Sequence, residues 1–286
     1  MSDSKIILVT GGTGKQGGAV ARNLIQSGYT VKVLTRNPDS PGALALKNQN
    51  IILVKGDLNK PETYREHLNG VHGVFSVQTF ENGINKEISQ GIGLAKLAME
   101  SGVKHFLYSS AIAAHLNTGV PHLDSKFVIE NYIRELALPY TIIRPASFYE
   151  NFLIPQVKKG ILKGKLSQTI NSDTIMPYIA TDDIGKAAVK IFGNFQAYSG
   201  KTLTLGNEQL DSLKVAETFS NALNKKVEYN RLPGIIVRLF LGKSLYKMFS
   251  WMDKHSNLLI EDVTSDRAEF PEMMPLSNWI NSNFKA

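Results

Sequence analysis

Ten residues near the amino terminus constrain this fold most: Val9-Thr10-Gly11-Gly12-Thr13-Gly14-Lys15-Gln16-Gly17-Gly18. They follow the apolar run Ile6 to Val9 and open onto residues 19–25, where Val20, Leu24 and the later Tyr29 mark an apolar helical stripe. Strand, glycine loop and helix, in that order, are the setting in which such glycines receive a phosphate. Gly11 allows the tight turn, Gly14 lets backbone N–H groups approach a pyrophosphate, and Gly17 lets the helix pack close to the strand. The N–H groups at the helix start add a partial positive charge. A dinucleotide is the expected ligand. Glycine-rich turns also close ordinary strand–helix connections, so the flanks matter. Gly28 stands where a helix would end, and Thr30 to Thr35 reads as a second strand, completing one βαβ unit.

The alternation continues. Ile51 to Val54 reads as a strand ending at Gly56-Asp57-Leu58, and Asn59 and Pro61 predict a helix running to about Leu68. Gly73 to Val77 is a strand, 85–101 a helix with Ile88, Ile92, Ala95 and Met99 on one face, and His105 to Ser110 a strand. A helix over 125–136 and the strand Tyr140 to Arg144 close the series. Continuous apolar strands between helices indicate a parallel sheet covered on both faces. After Pro145 the order loosens: 152–180 is mixed, 181–192 helical, 201–205 a short strand and 212–223 a helix. The expected fold class is α/β, a Rossmann-type doubly wound parallel sheet over 1–150. A smaller C-terminal α+β lobe over 151–286 would carry substrate or effector, with the chain free to cross between lobes.

Composition narrows the function. At 286 residues and 43% hydrophobic, the chain can bury a large core, and with no Cys it has no disulfide, thiolate zinc site or cysteine nucleophile. The six histidines (67, 72, 105, 115, 122, 255) lack metal-ligand spacing, so no metal is expected. The formal charge of +7 is dispersed; its densest cluster, Lys158, Lys159, Lys163 and Lys165, has no interleaved aromatics and reads as a solvated face, not a nucleic-acid surface. Met1 to Lys5 is polar, and no uncharged run approaches the ~18 residues of a membrane span. A cytoplasmic protein is expected. Ile235 to Met252 is apolar with Arg238, Lys243 and Lys247 interspersed; it suits a helix packed over a pocket or core, or a basic amphipathic helix lying on a membrane.

In a doubly wound sheet the residues after each strand border the ligand. After the second strand, Thr35-Arg36-Asn37 replaces the acidic residue that usually selects NAD. Arg36 can form charge-assisted hydrogen bonds to a 2′-phosphate, which favours NADP(H) over NAD(H). Asp57 and Leu58 would flank adenine, unless Asp57 is only a helix cap. Gln78-Thr79-Phe80 and Ser109-Ser110 would border the nicotinamide side. A typical short-chain reductase pairs Tyr with a Lys four residues on; here Lys126 fits the lysine, but His122 stands at the tyrosine position. Three readings stay open: His122 as a substitute acid, Lys126 as a ribose ligand only, or a surface helix start with Lys126 facing Glu130.

The Gly-x-x-Gly-x-x-Gly loop, Thr35-Arg36-Asn37-Pro38, Gly73-Val74-Phe75-Ser76, His122-x-x-x-Lys126, Phe148-Tyr149-Glu150-Asn151-Phe152, Asp182-Asp183-Ile184-Gly185 and Phe270-Pro271 with Trp279 together resemble the NmrA-like family of atypical short-chain dehydrogenases. The resemblance spans nearly the whole chain. It implies a pyrophosphate held by Gly11, Thr13, Gly14, Lys15, Gln16 and Gly17, and a 2′-phosphate held by Arg36, Asn37 and Ser40. Asp57 and Leu58 would border adenine; Gln78, Thr79, Ser109 and Lys126 would face the nicotinamide ribose. Phe148, Tyr149, Glu150 and Asn151 would close over the nicotinamide. His122, Phe80, Tyr149, Phe152 and Met176 would line a substrate or effector pocket. Family members include NADP(H)-binding redox sensors and co-regulators, and NAD(P)H-dependent reductases of quinones and phenolics. The resemblance therefore implies a sensor acting on a regulatory protein partner, or a reductase of a small quinone-like substrate.

Overall fold

A computed structural model describes residues 5–240 and 242–284. In chain order the elements are β1 (Ile6–Val9), α1 (Lys15–Gln26), β2 (Thr30–Thr35), α2 (Pro41–Lys47), β3 (Ile52–Lys55), β4 (Gly73–Ser76), α3 (Ile84–Glu100), β5 (His105–Ser109), α4 (Pro121–Glu135), β6 (Tyr140–Pro145), β7 (Ser147–Phe148) and α5 (Pro155–Leu162). There follow β8 (Lys165–Gln168), β9 (Met176–Ile179), α6 (Thr181–Gly193), α7 (Phe195–Tyr198), β10 (Lys201–Leu205), β11 (Glu208–Leu210), α8 (Ser212–Leu223), β12 (Glu228–Arg231), α9 (Gly234–Phe240), α10 (Lys243–Asp266) and α11 (Leu276–Asn283). The described residues form two compact units: 5–114, 124–144 and 181–203 in the first, and 115–123, 145–180 and 204–284 in the second.

The first unit is built on a seven-stranded sheet of order β10-β6-β5-β4-β1-β2-β3. β1 pairs in parallel with β2 on one side (Val9 opposite Val33) and with β4 on the other (Val9 opposite Phe75). The strand order reverses between β1 and β4, which is where an open α/β sheet leaves a crevice at its carboxyl edge. All residues of β4 and β5 are buried, as strands covered on both faces require. Leu8, Val74, Phe106 and Ile142 pack with Leu94, Ala98, Ile129 and Ile133 in one core cluster.

Three local expectations give way to tertiary constraints. Residues 59–68 are not one helix but two 3-10 turns, Pro61–Thr63 and Arg65–Leu68; Tyr64 between them takes a non-helical φ of −132° as its side chain is fully buried. α2 arises where no helix was expected, from a Ser40 cap that accepts a hydrogen bond from the Ala43 N–H, with Pro41 in the first turn. α4 begins at Pro121 instead of near Ser125, which places His122 on the helix.

His105 at the start of β5 is fully buried. Thr141 Oγ1 gives its proton to the Tyr198 carbonyl at 2.8 Å, so His105 Nε2, 2.8 Å from that oxygen, is the donor to it. Nδ1 is buried with no partner among the described residues. Burial, then the charge of His72, lowers its pKa to about 4. Between the unfolded value near 6.5 and about 4, the unfolded chain takes up a proton that the folded chain refuses, so stability falls as pH falls, by about 3 kcal/mol. Denaturant midpoints measured across this window are expected to show that slope, and His105→Gln is expected to flatten it.

The second unit contains a three-stranded sheet of order β11-β9-β7 and the parallel pair β12-β8. Its core is aromatic: Phe152 lies against Tyr178, Phe219 and Trp279, and Tyr149 stacks on Tyr178 at 6.1 Å.

Candidate functional site

The loop after β1 is fixed at the switch point by Thr10. Its hydroxyl accepts from the Val77 N–H (2.8 Å) and lies 3.0 Å from the Val77 carbonyl, tying the loop to the residue after β4. Gly11 has φ +62°, and a side chain there would meet Val77 at 2.7 Å. A Cβ on Gly17 would stand 2.4 Å from the Gly11 carbonyl oxygen and 2.6 Å from that of Thr10, so α1 approaches the loop as closely as a bare backbone permits. Gly14 caps α1 without a side-chain hydrogen bond, and the first turn carries no acidic residue. Gly11, Thr13, Gly14 and Lys15 face solvent, while Gln16 and Gly17 are buried. A glycine cap, a lysine at the first helical position and no acidic residue in the first turn make this a fit receptor for a diphosphate.

Beyond β2, Arg36 and Asn37 are exposed, and Arg36 forms no ion pair among the described residues. Asn37 and Ser40 shape the turn: the Ser40 hydroxyl donates to the Asn37 carbonyl at 3.0 Å, and Asn37 Oδ1 accepts from the Asp39 N–H. After β3, Asp57 Oδ1 accepts from both the backbone and side-chain nitrogens of Asn59 at 2.9 Å. Asp57 therefore holds a turn ahead of the 3-10 helices, and Leu58 packs partly buried against the core.

After β4, Gln78 Nε2 donates to Ser76 Oγ at 2.9 Å. Gln78 Oε1, Gln16 Oε1 and Ser109 Oγ are buried and lack a hydrogen-bond partner among the described residues. Orphaned polar atoms at three positions expected to border one ligand are what a polar ligand would satisfy. Thr79 caps the turn that contains Phe80, its hydroxyl accepting from the Glu81 N–H.

Lys126 points neither to Glu130 nor to solvent. Its ammonium donates to Glu87 Oε1 at 2.8 Å, and Ser125 donates to Glu87 Oε2 at 2.6 Å, with Glu87 fully buried. Glu130 instead accepts from Arg144 (2.7 and 3.0 Å), Arg134 (2.8 Å) and Ser110 (2.6 Å). Burial pushes its carboxyl up, but Arg144, with Ser110 and Arg134, more than offsets this and holds it below the usual range. The sequence names Glu130 only as a local neighbour of Lys126, and Glu87 not at all. Glu87 nevertheless shares a helical face with Gly91, Leu94 and Ala98, all buried, and an acid on such a face is a signal that something pairs with it. Tyr108 is fully buried; burial, then the Glu87 and Glu130 carboxylates, raise its phenol well above its ordinary pKa.

Within the second unit, His122 Nδ1 lies 2.7 Å from Ser244 Oγ and Nε2 lies 3.2 Å from Met248 Sδ, both on α10. Tyr149 donates to Glu208 at 2.7 Å, and Glu150 accepts from the Trp279 indole at 3.1 Å. Phe148 is half-buried in β7, Asn151 is exposed, and Phe152 and Met176 are buried in the unit's core. Among the described residues no group of three His, Asp or Glu is placed to hold a metal ion.

This loop, switch point and lysine are matched along the chain by the NmrA-like family profile, over residues 3–280. The chain belongs to the NmrA-like family. An NmrA-like family domain-containing protein of Dictyostelium discoideum is 33% identical over 245 residues, covering 79% of this chain and 80% of that one. Among solved structures, NmrA, a negative transcriptional regulator crystallised with NADP, superposes with a TM-score of 0.81 at 23% identity, over 99% of this chain and 96% of its own. The NADPH-dependent quinone oxidoreductase QOR2 of Escherichia coli, crystallised with NADPH, gives 0.81 at 20% identity, over 98% and 100%. The shared fold is therefore the Rossmann-like α/β fold of NmrA.

Proposed function

We propose that this NmrA-like protein binds NADP(H), in preference to NAD(H), at the loop after β1, and serves as a redox-responsive regulator of a protein partner rather than as a catalyst. In this reading Gly11, Thr13, Gly14, Lys15, Gln16 and Gly17 hold the pyrophosphate. Arg36, with Asn37 and Ser40, takes the 2′-phosphate. Asp57 and Leu58 border adenine, while Gln78, Thr79, Ser109 and Lys126 face the nicotinamide ribose. The observation that carries it is the state of the proton-handling groups. No Tyr precedes Lys126 by four residues, Lys126 is held by the buried Glu87, and both His122 nitrogens already have neighbours at hydrogen-bonding distance. Tyr108, its phenol raised and buried, is a poor acid at neutral pH.

A second reading, reduction of a quinone or similar conjugated carbonyl, is supported by the fold shared with QOR2. Bound NADPH would supply the hydride, and protonation from solvent would remove the need for a protein acid.

One titration series tests the proposal. A sensor must distinguish the two redox forms, since a ligand with equal affinity for two states shifts nothing. NADP+ and NADPH are expected to differ in affinity by about fivefold or more. Arg36→Ala is expected to weaken NADPH by about tenfold or more and NADH hardly at all, because one charge-assisted pair to the 2′-phosphate is lost. Equal affinities for the two redox forms would remove the sensor; equal weakening of NADPH and NADH would remove the 2′-phosphate role.

A further inference from the structure

The segment from β12 through the start of α10 is built the reverse of an ordinary surface. Among the described side chains of α9 only Val237 is buried, 1% exposed, while Ile235 (59%), Ile236 (39%) and Leu239 (73%) face solvent. Ile235 and Leu239 are four apart and so adjacent on the helix. The ring of Tyr246, itself 37% exposed, lies beside Gly234 and extends this apolar area onto α10. On α10, Ser244 and Met248 turn towards His122, whereas Lys243, Tyr246 and Lys247 are exposed. No acidic residue occurs from Tyr229 to Met252, while Arg231, Arg238, Lys243 and Lys247 do, all exposed.

We propose that the exposed faces of α9 and of the first turns of α10 dock peripherally on an anionic lipid surface. Three aliphatic side chains would enter the boundary between headgroups and acyl chains. The long cationic side chains beside them would reach the phosphates. Charge selects this occupant. Arg231 is engaged by Asp253 at 3.9 Å, but Arg238, Lys243 and Lys247 remain on the exposed face; a second copy would bring these three cations face to face, and their common sign suits a continuous negative surface. No described helix is long and apolar enough to cross a membrane, so the attachment is superficial.

The test is co-sedimentation of the full chain with vesicles of phosphatidylcholine alone and of phosphatidylcholine mixed with phosphatidylglycerol. Binding is expected only to the mixed vesicles, weakening as salt rises. Leu239→Glu combined with Ile235→Glu is expected to reduce it by about tenfold or more. Arg238→Gln and Lys247→Gln are each expected to reduce it by about fivefold. These side chains are exposed, so the variants should melt as the parent does. Failure to bind mixed vesicles, or binding undiminished by the glutamates, overturns the proposal. So does a dimer lost in the same variant without vesicle binding, which assigns the patch to a second copy. A preference for soluble polyglutamate over vesicles likewise overturns it, in favour of an acidic protein.

Discussion

A Gly17→Ala variant is expected to lose NADPH affinity by about a hundredfold or more. The added methyl would stand 2.4 Å from the Gly11 oxygen and 2.6 Å from the Thr10 oxygen. Both are backbone atoms, so neither can turn aside as a side-chain tip does. α1 must move from the loop instead, and the N–H groups that are to meet the pyrophosphate move with it. Such overpacking costs about 1–3 kcal/mol of folding stability, small enough to leave a folded protein to titrate. Gly93→Ala is the control. Its Cβ would meet only the Tyr64 hydroxyl, at 3.9 Å, so affinity should not change. Measurement is by NADPH fluorescence titration alongside thermal melting, and an unchanged affinity in Gly17→Ala would dissociate the glycine loop from cofactor binding.

The second large effect concerns Glu130. Replacing it by Ala leaves Arg144, only 9% exposed, without the carboxylate that takes both of its hydrogen bonds, and removes partners of Ser110 and Arg134. Breaking a buried pair from one side costs about 3–5 kcal/mol, which for a chain of this size lowers Tm by about 10 °C. The sign with pH follows from the lowered carboxyl. Its contribution is complete above the unfolded value of 4.5 and is lost as pH falls through the folded value beneath it. Acid melting curves of the parent should therefore show this loss, and those of Glu130→Ala should not. A variant melting within a degree or two of the parent would show that Arg144 finds another partner.

The parts of the fold legible from sequence are those where one physical signal dominates. β1 is a continuous apolar run, and β2 and β4–β6 carry apolar pairs (Val31 and Val33, Val74 and Phe75, Phe106 and Leu107, Ile142 and Ile143) that a sheet covered on both faces buries. The glycine loop declares itself because no other residue suits Gly11 or Gly17. What escaped depends on contacts between distant residues. The break at Tyr64 comes from burial of its ring, which local propensity does not register. α2 is seven residues long, too short for periodicity to reveal, although Ser40 and Pro41 were its start signal. The pairing of Lys126 is the instructive case at the site. A partner four residues along the same helix, Glu130, is one of the three readings open to the sequence, yet Glu130 is engaged by two arginines and Lys126 by Glu87, 39 positions away. Periodicity places Glu87 on a buried face without naming what it faces.

The most direct test of the central claim is a fluorescence titration of the purified protein with NADPH, followed in the same cuvette by a panel of quinones. Saturable binding with a stable reduced-nicotinamide signal across the panel is the predicted result. Rapid loss of that signal with any quinone would contradict it and establish the chain as a reductase.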